Sequence, residues 1–222
     1  MTEDGLTAAR IGMVAASSAI LEGVLYLTVI AIIIVQGTMP PLEPWASFVA
    51  ALLLLTVPTL IALSVAVCWL APAGRRPWAV LAVVCTAIFA VYVSFTRLLQ
   101  LALLRPVWDQ TMPAELALLH PYQMPSLGFT LEIAGWGLWL GLVFIGYAAI
   151  FAGSRRAITI VFGISGVLSI LAGLAPILGI AWLTTLGIIA WGPGLLAGTV
   201  LLALEFRDYL RTSSVARTSP GM

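Results

Sequence analysis

Three ionisable side chains stand inside long apolar stretches of the chain: Glu22, Arg97 and Glu132. A charge at the centre of a membrane span costs about 2.5–3.5 kcal/mol on insertion scales, so such residues face a bundle interior or water and usually mark function. Two of them have polar company at helical spacing. Ser18, Glu22 and Tyr26 recur every fourth residue on one face, and Ser94 and Gln100 lie about one turn either side of Arg97. The chemistry open to this set is narrow: a guanidinium–carboxylate pair, a polar cavity for a small or lipid-like ligand, or proton transfer on a lipid. The candidate site is Glu22, Tyr26, Arg97, Gln100 and Glu132, with no catalytic residue among them.

Other chemistries find little support. His120 is the one histidine, and it shares the segment RPVWDQTMPAELALLHPYQMPS (105–126) with Asp109 and Glu115. No recognised metal-ligand spacing is present, so neither a metal nor a cofactor is assigned. The segment reads instead as a lid, with Pro113 opening a short amphipathic helix. Cys68 and Cys85 sit in no CxxC pattern and read as packing residues. The chain has no Lys, which excludes Schiff-base chemistry, and no Asn, which excludes an N-glycosylation sequon. Both missing residues have A/T-rich codons, which points to a GC-rich bacterial genome. HExxH, GxSxG and Walker patterns are absent, and a single histidine excludes bis-histidine haem.

The elements that must position these residues are dictated by composition. Of 222 residues, 62% are hydrophobic and 9% charged, against about 25% charged in a soluble domain. No globule could bury that much apolar surface and still keep a polar skin. The net charge of +1 and the lack of a basic stripe exclude a nucleic-acid binder. A span needs about 20 mostly apolar residues. Six such segments can be drawn, at about 11–36, 46–70, 78–104, 127–152, 158–175 and 180–205, separated by Gly, Pro and Arg clusters. The acidic leader and long apolar core of the first segment do not read as a signal peptide. Residues 212–222, rich in Ser, Thr, Pro and Gly, are expected to form a disordered cytoplasmic tail. The predicted class is all-α, a polytopic membrane helix bundle.

Arginine placement sets the expected topology. With the N-terminus cytoplasmic, inside segments carry Arg10, Arg75, Arg76, Arg155, Arg156, Arg207, Arg211 and Arg217, and outside segments carry only Arg105. Positive residues accumulate in cytoplasmic loops, so both termini are placed inside, in a bacterial cytoplasmic membrane. Trp45 and Trp108 then fall at outer ends and Trp69 and Trp78 at inner ends, where amphipathic rings prefer to lie, while Trp136, Trp139 and Trp191 lie deeper. Glu22 lies about 16 Å into its helix at 1.5 Å per residue, near the midplane. Arg97 and Glu132 are level with each other in the outer third. The expectation is that they pair, or share a pocket that opens outward and that Glu22 also reaches.

Small residues four apart mark packing faces: Ala15, Ala19 and Gly23; Gly137 and Gly141; Ser165, Ser169 and Gly173; Gly194 and Gly198. These read as contacts within the chain, with a homodimer as the alternative use. Pro58 and Trp191-Gly-Pro-Gly194 interrupt the second and sixth helices, as a kink or as part of a cavity wall.

Phe95-Thr-Arg97-Leu-Leu-Gln100, together with a fourth helix ending in Ser154-Arg155-Arg156 ahead of a Gly-rich fifth, resembles a bacterial family of six-helix membrane proteins (domain of unknown function 4386). That resemblance implies a six-helix fold and a role for Arg97, and no activity. Three function classes stay open. One is binding, sensing or transport of a small or lipid-like ligand, the second a membrane-embedded lipid-modifying enzyme, and the third a scaffold or accessory subunit.

Overall fold

The computed structural model of the chain describes residues 3–38, 40–110 and 112–218, the last five by backbone alone. The described residues are helical throughout their ordered elements, without a strand. Six helices are long and apolar enough to cross a membrane: α1 (Glu3–Gln36), α2 (Trp45–Leu70), α3 (Ala73–Val107), α4 (Leu127–Phe151), α5 (Arg156–Gly173) and α6 (Ala181–Ser213). The helical backbone of α6 continues to Thr218. Residues 212–218, expected within the disordered tail, are helical in backbone, and the Thr212 and Ser213 hydroxyls donate to the Asp208 and Tyr209 carbonyls one turn back. Residues 219–222 lie outside the described residues. The first helix likewise begins eight residues before its apolar run, with Glu3 and Asp4 in its first turn, where acidic side chains oppose the positive end of the helix dipole.

Helix ends obey local chemistry. Gly37 adopts φ +66° after Gln36, the left-handed position that ends helices at a residue without Cβ. Gly179 does the same at φ +67° after the single turn Ala175–Leu178, dividing the charge-free stretch into α5 and α6. Three helices widen by a π turn: α3 at Gln100–Leu104, α4 at Ala134–Trp139 and α6 at Ala190–Gly194. The last contains Pro193. Proline has no N–H and its ring crowds the carbonyl four residues back, and one extra residue in the turn relieves both. By contrast, α2 passes through Pro58 without losing its helical form.

The six helices close a ring in chain order, each packed on its neighbours in sequence and α1 on α6. Leu63, Phe89, Phe144, Phe162 and Leu202 fill its interior. Within that apolar filling, Ser64 Oγ meets Tyr147 Oη at 2.6 Å and Thr86 Oγ1 at 2.8 Å, tying α2, α3 and α4 together. The small-residue faces are used inside the ring. Gly137 lies on Gly173, Gly141 on Ser169 and Gly166, and Gly194 on Ser165. Large apolar side chains cover the outside, among them Val14, Val35, Leu55 and Ile177 at 61–87% exposure.

The close approach of α4 and α5 generates a test. A Cβ on Gly137 would collide with the Cα of Gly173, whereas one on Gly74 would meet open space. Gly137→Ala should lower the thermal midpoint in detergent by the equivalent of about 1–3 kcal/mol, the usual cost of overpacking. Gly74→Ala should leave it unchanged, and equal behaviour of the two variants would contradict this packing.

Candidate functional site

Arg97, on the last α-helical turn of α3, points into the ring rather than out of it, and is 3% exposed. Its Nη2 pairs with Oε1 of Glu132 on α4. Its Nη1 donates to Gln100 Oε1 at 2.6 Å and to the Tyr122 hydroxyl at 3.0 Å. Gln100 passes the contact on, donating from Nε2 to the Ala46 carbonyl at the start of α2, 3.0 Å away. Glu132 accepts two further bonds, from Thr96 Oγ1 at Oε2 and from the indole N–H of Trp136 at Oε1, the latter at 2.7 Å. The guanidinium also lies 5.2 Å from the centre of the Tyr122 ring, within the range of a cation–π contact. Three helices and one loop thus converge on one buried ion pair.

The expected pairing of Arg97 with Glu132 is present, and Gln100 belongs to it. Tyr26, on α1, lies within electrostatic reach of Arg97, Glu132 and Tyr122. Glu22 does not join them. Its Oε1 accepts from Thr59 Oγ1 of α2 at 2.8 Å, and its Oε2 is buried with no hydrogen-bond partner. Glu22 makes no hydrogen bond to the Arg97 cluster among the described residues, and the Arg97 spot is filled by its own side chains: Gln100 is 1% and Glu132 5% exposed. A single donor of the cluster, Arg97 Nε, is buried without a partner.

Three contributors escaped the sequence reading. Trp136 stands four residues after Glu132 and was open to an i, i+4 argument. The π turn at 134–139 settles its position. Thr96 precedes Arg97 directly, so it falls off the face that a four-residue stripe defines. Tyr122 comes from the loop, where no periodicity operates. Ser94, expected beside Arg97, makes no hydrogen bond to the cluster among the described residues.

The loop 105–126 covers this end of the ring as a lid with a small core of its own, built on Ala46, Leu104 and Trp108. Its helical part is one turn, Ala114–Ala117, shorter than the amphipathic helix expected. Trp108, expected at a membrane interface, is 8% exposed and donates its indole N–H to the Pro41 carbonyl at 2.7 Å. A buried indole must place that donor somewhere, and the 40–44 turn supplies an acceptor. His120 stacks on Trp108 at 4.7 Å, and its Nδ1 accepts from the Tyr122 backbone N–H at 3.2 Å. Ser126 Oγ donates to the His120 carbonyl at 2.6 Å and accepts from Phe129 N as the N-cap of α4. Gly128 sits so close to the Leu119 carbonyl that a Cβ would collide with it. Burial raises the Tyr122 phenol above its ordinary pKa of 10.0, so it remains a neutral donor and acceptor beside Arg97.

No family model matches the chain, and no curated protein or solved structure matches it. The site therefore has to be read from its geometry.

His120 makes the lid sensitive to pH. Desolvation holds its imidazole below the ordinary value of 6.5, and protonation at Nδ1 would remove the acceptor that Tyr122 N–H uses. With the folded pKa depressed, the unfolded lid binds the proton more readily, so stability is intact above pH about 6.5 and falls as the pH drops below it. Amide exchange in residues 112–126 should accelerate as the pH is lowered from above that value to about one unit below it, after correction for intrinsic rates. His120→Phe should remove that acceleration, and an unchanged profile in wild type would contradict the role of His120.

Proposed function

We propose that the chain is a non-enzymatic multi-pass protein of the bacterial cytoplasmic membrane that binds, senses or moves a small or lipid-like ligand. The Arg97–Glu132 cluster and the 105–126 lid form its closure at the outer face. The six apolar helices and the apolar exterior support insertion. The arginines at the α2–α3 and α4–α5 turns and on the last turns of α6 support a cytoplasmic position for that end, and so for both termini.

One observation carries the ligand reading: a guanidinium buried among three helices retains an unmatched donor, Nε, and is roofed by a loop rather than by a helix. A buried donor without an acceptor costs about 1–3 kcal/mol, more for a charged group. A carbonyl, carboxylate or phosphate oxygen admitted when the lid lifts would satisfy it. The competing use is a clasp, favoured by the satisfaction of Nη1 and Nη2 within the protein. Two carboxylates in apolar surroundings, Glu22 and Glu132, each accepting from a threonine hydroxyl, are what a lipid-modifying enzyme would use to move protons.

Removing one partner of a buried pair strands the other and costs about 3–5 kcal/mol, whereas replacing both by apolar residues is often neutral. Arg97→Ala and Glu132→Gln should therefore each lower stability in detergent by about that amount. The double variant Arg97→Met/Glu132→Leu should recover most of it. Native mass spectrometry of wild type should show a copurified small molecule that the double variant lacks. A bare wild-type protein, or a double variant that keeps the molecule, would leave the cluster a clasp and the ligand reading wrong.

Topology is tested in whole cells with Cys68 and Cys85 replaced by Ala. A Gly74→Cys side chain should be protected from a membrane-impermeant maleimide, and Gln110→Cys should react. The reverse pattern would invert the orientation.

A further inference from the structure

The end of the ring opposite the lid contains a cleft that takes no residue from the Arg97 cluster. Val67 and Leu70 of α2, Phe151 of α4, and Leu202, Phe206 and Tyr209 of α6 enclose about 290 Å³. α2, α4 and α6 are alternate members of the ring, so the cleft lies inside it. Its size is near the lower end of ordinary ligand sites, about 300–1,000 Å³. The wall is apolar. The rim is an ion pair, Arg155 Nε to Glu205 Oε2 at 2.5 Å, with side chains 50% and 28% exposed.

The same ion pair forms one wall of a second groove of about 300 Å³, running between the start of α5 and the flank of α6, with Arg156, Leu201, Leu204 and Asp208. A single exposed ion pair thus separates a groove on the outer flank of the ring from an apolar cleft inside it. An exposed pair of this kind adds little to stability and exchanges partners readily. Positive charge is in surplus around it. Glu205 is answered by Arg155 and Asp208 by Arg207 at 3.8 Å, while Arg156 has no ion-pair partner among the described residues. Arg75 reaches the same end, its Nη2 donating to the Ala152 carbonyl at 3.4 Å.

An apolar cleft with a cationic rim selects chemistry on two counts. A hydrocarbon chain gains by leaving water for the cleft, and a carboxylate or phosphate matches the planar fork of a guanidinium, which Glu205 now occupies. A cationic head would meet Arg155 and Arg156 instead. An anion with no chain would leave the cleft unfilled.

We propose that this cleft takes the hydrocarbon chain of a single-chain anionic amphiphile, of the fatty-acid or alkyl-phosphate type, whose head displaces Glu205 from Arg155. The site shares no residue with the Arg97 cluster, so it stands or falls separately from a ligand at that cluster.

The test uses the full chain in a non-ionic maltoside, titrated with dodecanoate, dodecyl phosphate, dodecyltrimethylammonium and inorganic phosphate, with binding followed by native mass spectrometry and calorimetry. The two anionic amphiphiles should bind at one per chain. Arg155→Gln should weaken them about tenfold or more through loss of the charge-assisted pair. Glu205→Gln should tighten them several-fold by removing the competing carboxylate, a gain that a purely structural ion pair would not give. Leu70→Trp should block the chain while the thermal midpoint stays in place. Equal binding of the cationic amphiphile, equal binding of inorganic phosphate, or weaker binding by Glu205→Gln would each overturn the assignment.

Discussion

The outer surface of this ring is as apolar as its core, and that equality constrains everything else about it. Val35 is 87% exposed and Ile177 72%, while Phe89 and Phe162, no more hydrophobic by type, are fully enclosed. In water such an exterior would drive aggregation. In hydrocarbon it is stable, but burying one leucine against another then contributes almost nothing to bringing helices together. Close backbone contact and hydrogen bonding are left to do so. The ring uses both. α4 and α5 meet through Gly137, Gly141, Gly166 and Gly173. α2, α3 and α4 share Ser64, Thr86 and Tyr147, and α6 reaches α5 through the Trp191 indole, which donates to Ser169 Oγ at 2.7 Å.

The same constraint explains the π turns. Where polar side chains must meet on the inside of a ring, a helix with a fixed 3.6-residue repeat brings only some of them to the inner face. Widening one turn rotates the later residues of the helix about its axis. In α4 the wide turn starts two residues after Glu132 and contains Trp136, whose indole N–H returns to that carboxylate. In α3 it begins at Gln100, the residue that links Arg97 to α2. Two of the three wide turns therefore fall at the buried ion pair, in keeping with the tendency of π turns to collect at functional positions.

How far this was legible in the sequence depends on the kind of signal each part leaves. The long helices were, because twenty apolar residues between Gly, Pro and Arg clusters leave few alternatives, although α1, α3 and α6 run beyond their apolar stretches to Glu3, Val107 and Ser213. The meeting of Arg97 with Glu132 was legible too, from equal depth and opposite sign. Other parts rest on three-dimensional detail. Tyr122 and His120 sit in a segment with no period, and Trp108 looked like an interfacial ring because its carbonyl partner, at Pro41, is 67 residues away in the chain. The four-residue stripe of Ser18, Glu22 and Tyr26 put Glu22 in a cavity with Arg97, but a stripe does not say which neighbouring helix a side chain meets, and Glu22 bonds to Thr59 of α2. The Arg155–Glu205 cleft left no trace in the sequence at all, since three helices that are not sequence neighbours build it.

The two ends of the ring differ in the energy needed to open them. At the lid end, opening means parting an ion pair whose members are 3% and 6% exposed, which strands charge away from water and costs about 3–5 kcal/mol if nothing replaces either partner. At the arginine end the corresponding pair is half exposed, and pairs of that kind are worth about 0–1 kcal/mol, so an incoming anion can replace Glu205 without uncovering an unsolvated charge. On the ligand readings proposed above, an anion at the arginine end would exchange with Glu205 without disturbing the lid, whereas one at the lid end would have to lift the lid to meet Arg97 Nε. Two ion pairs of similar composition thus differ in what parting them costs, because one is buried and the other is partly solvated.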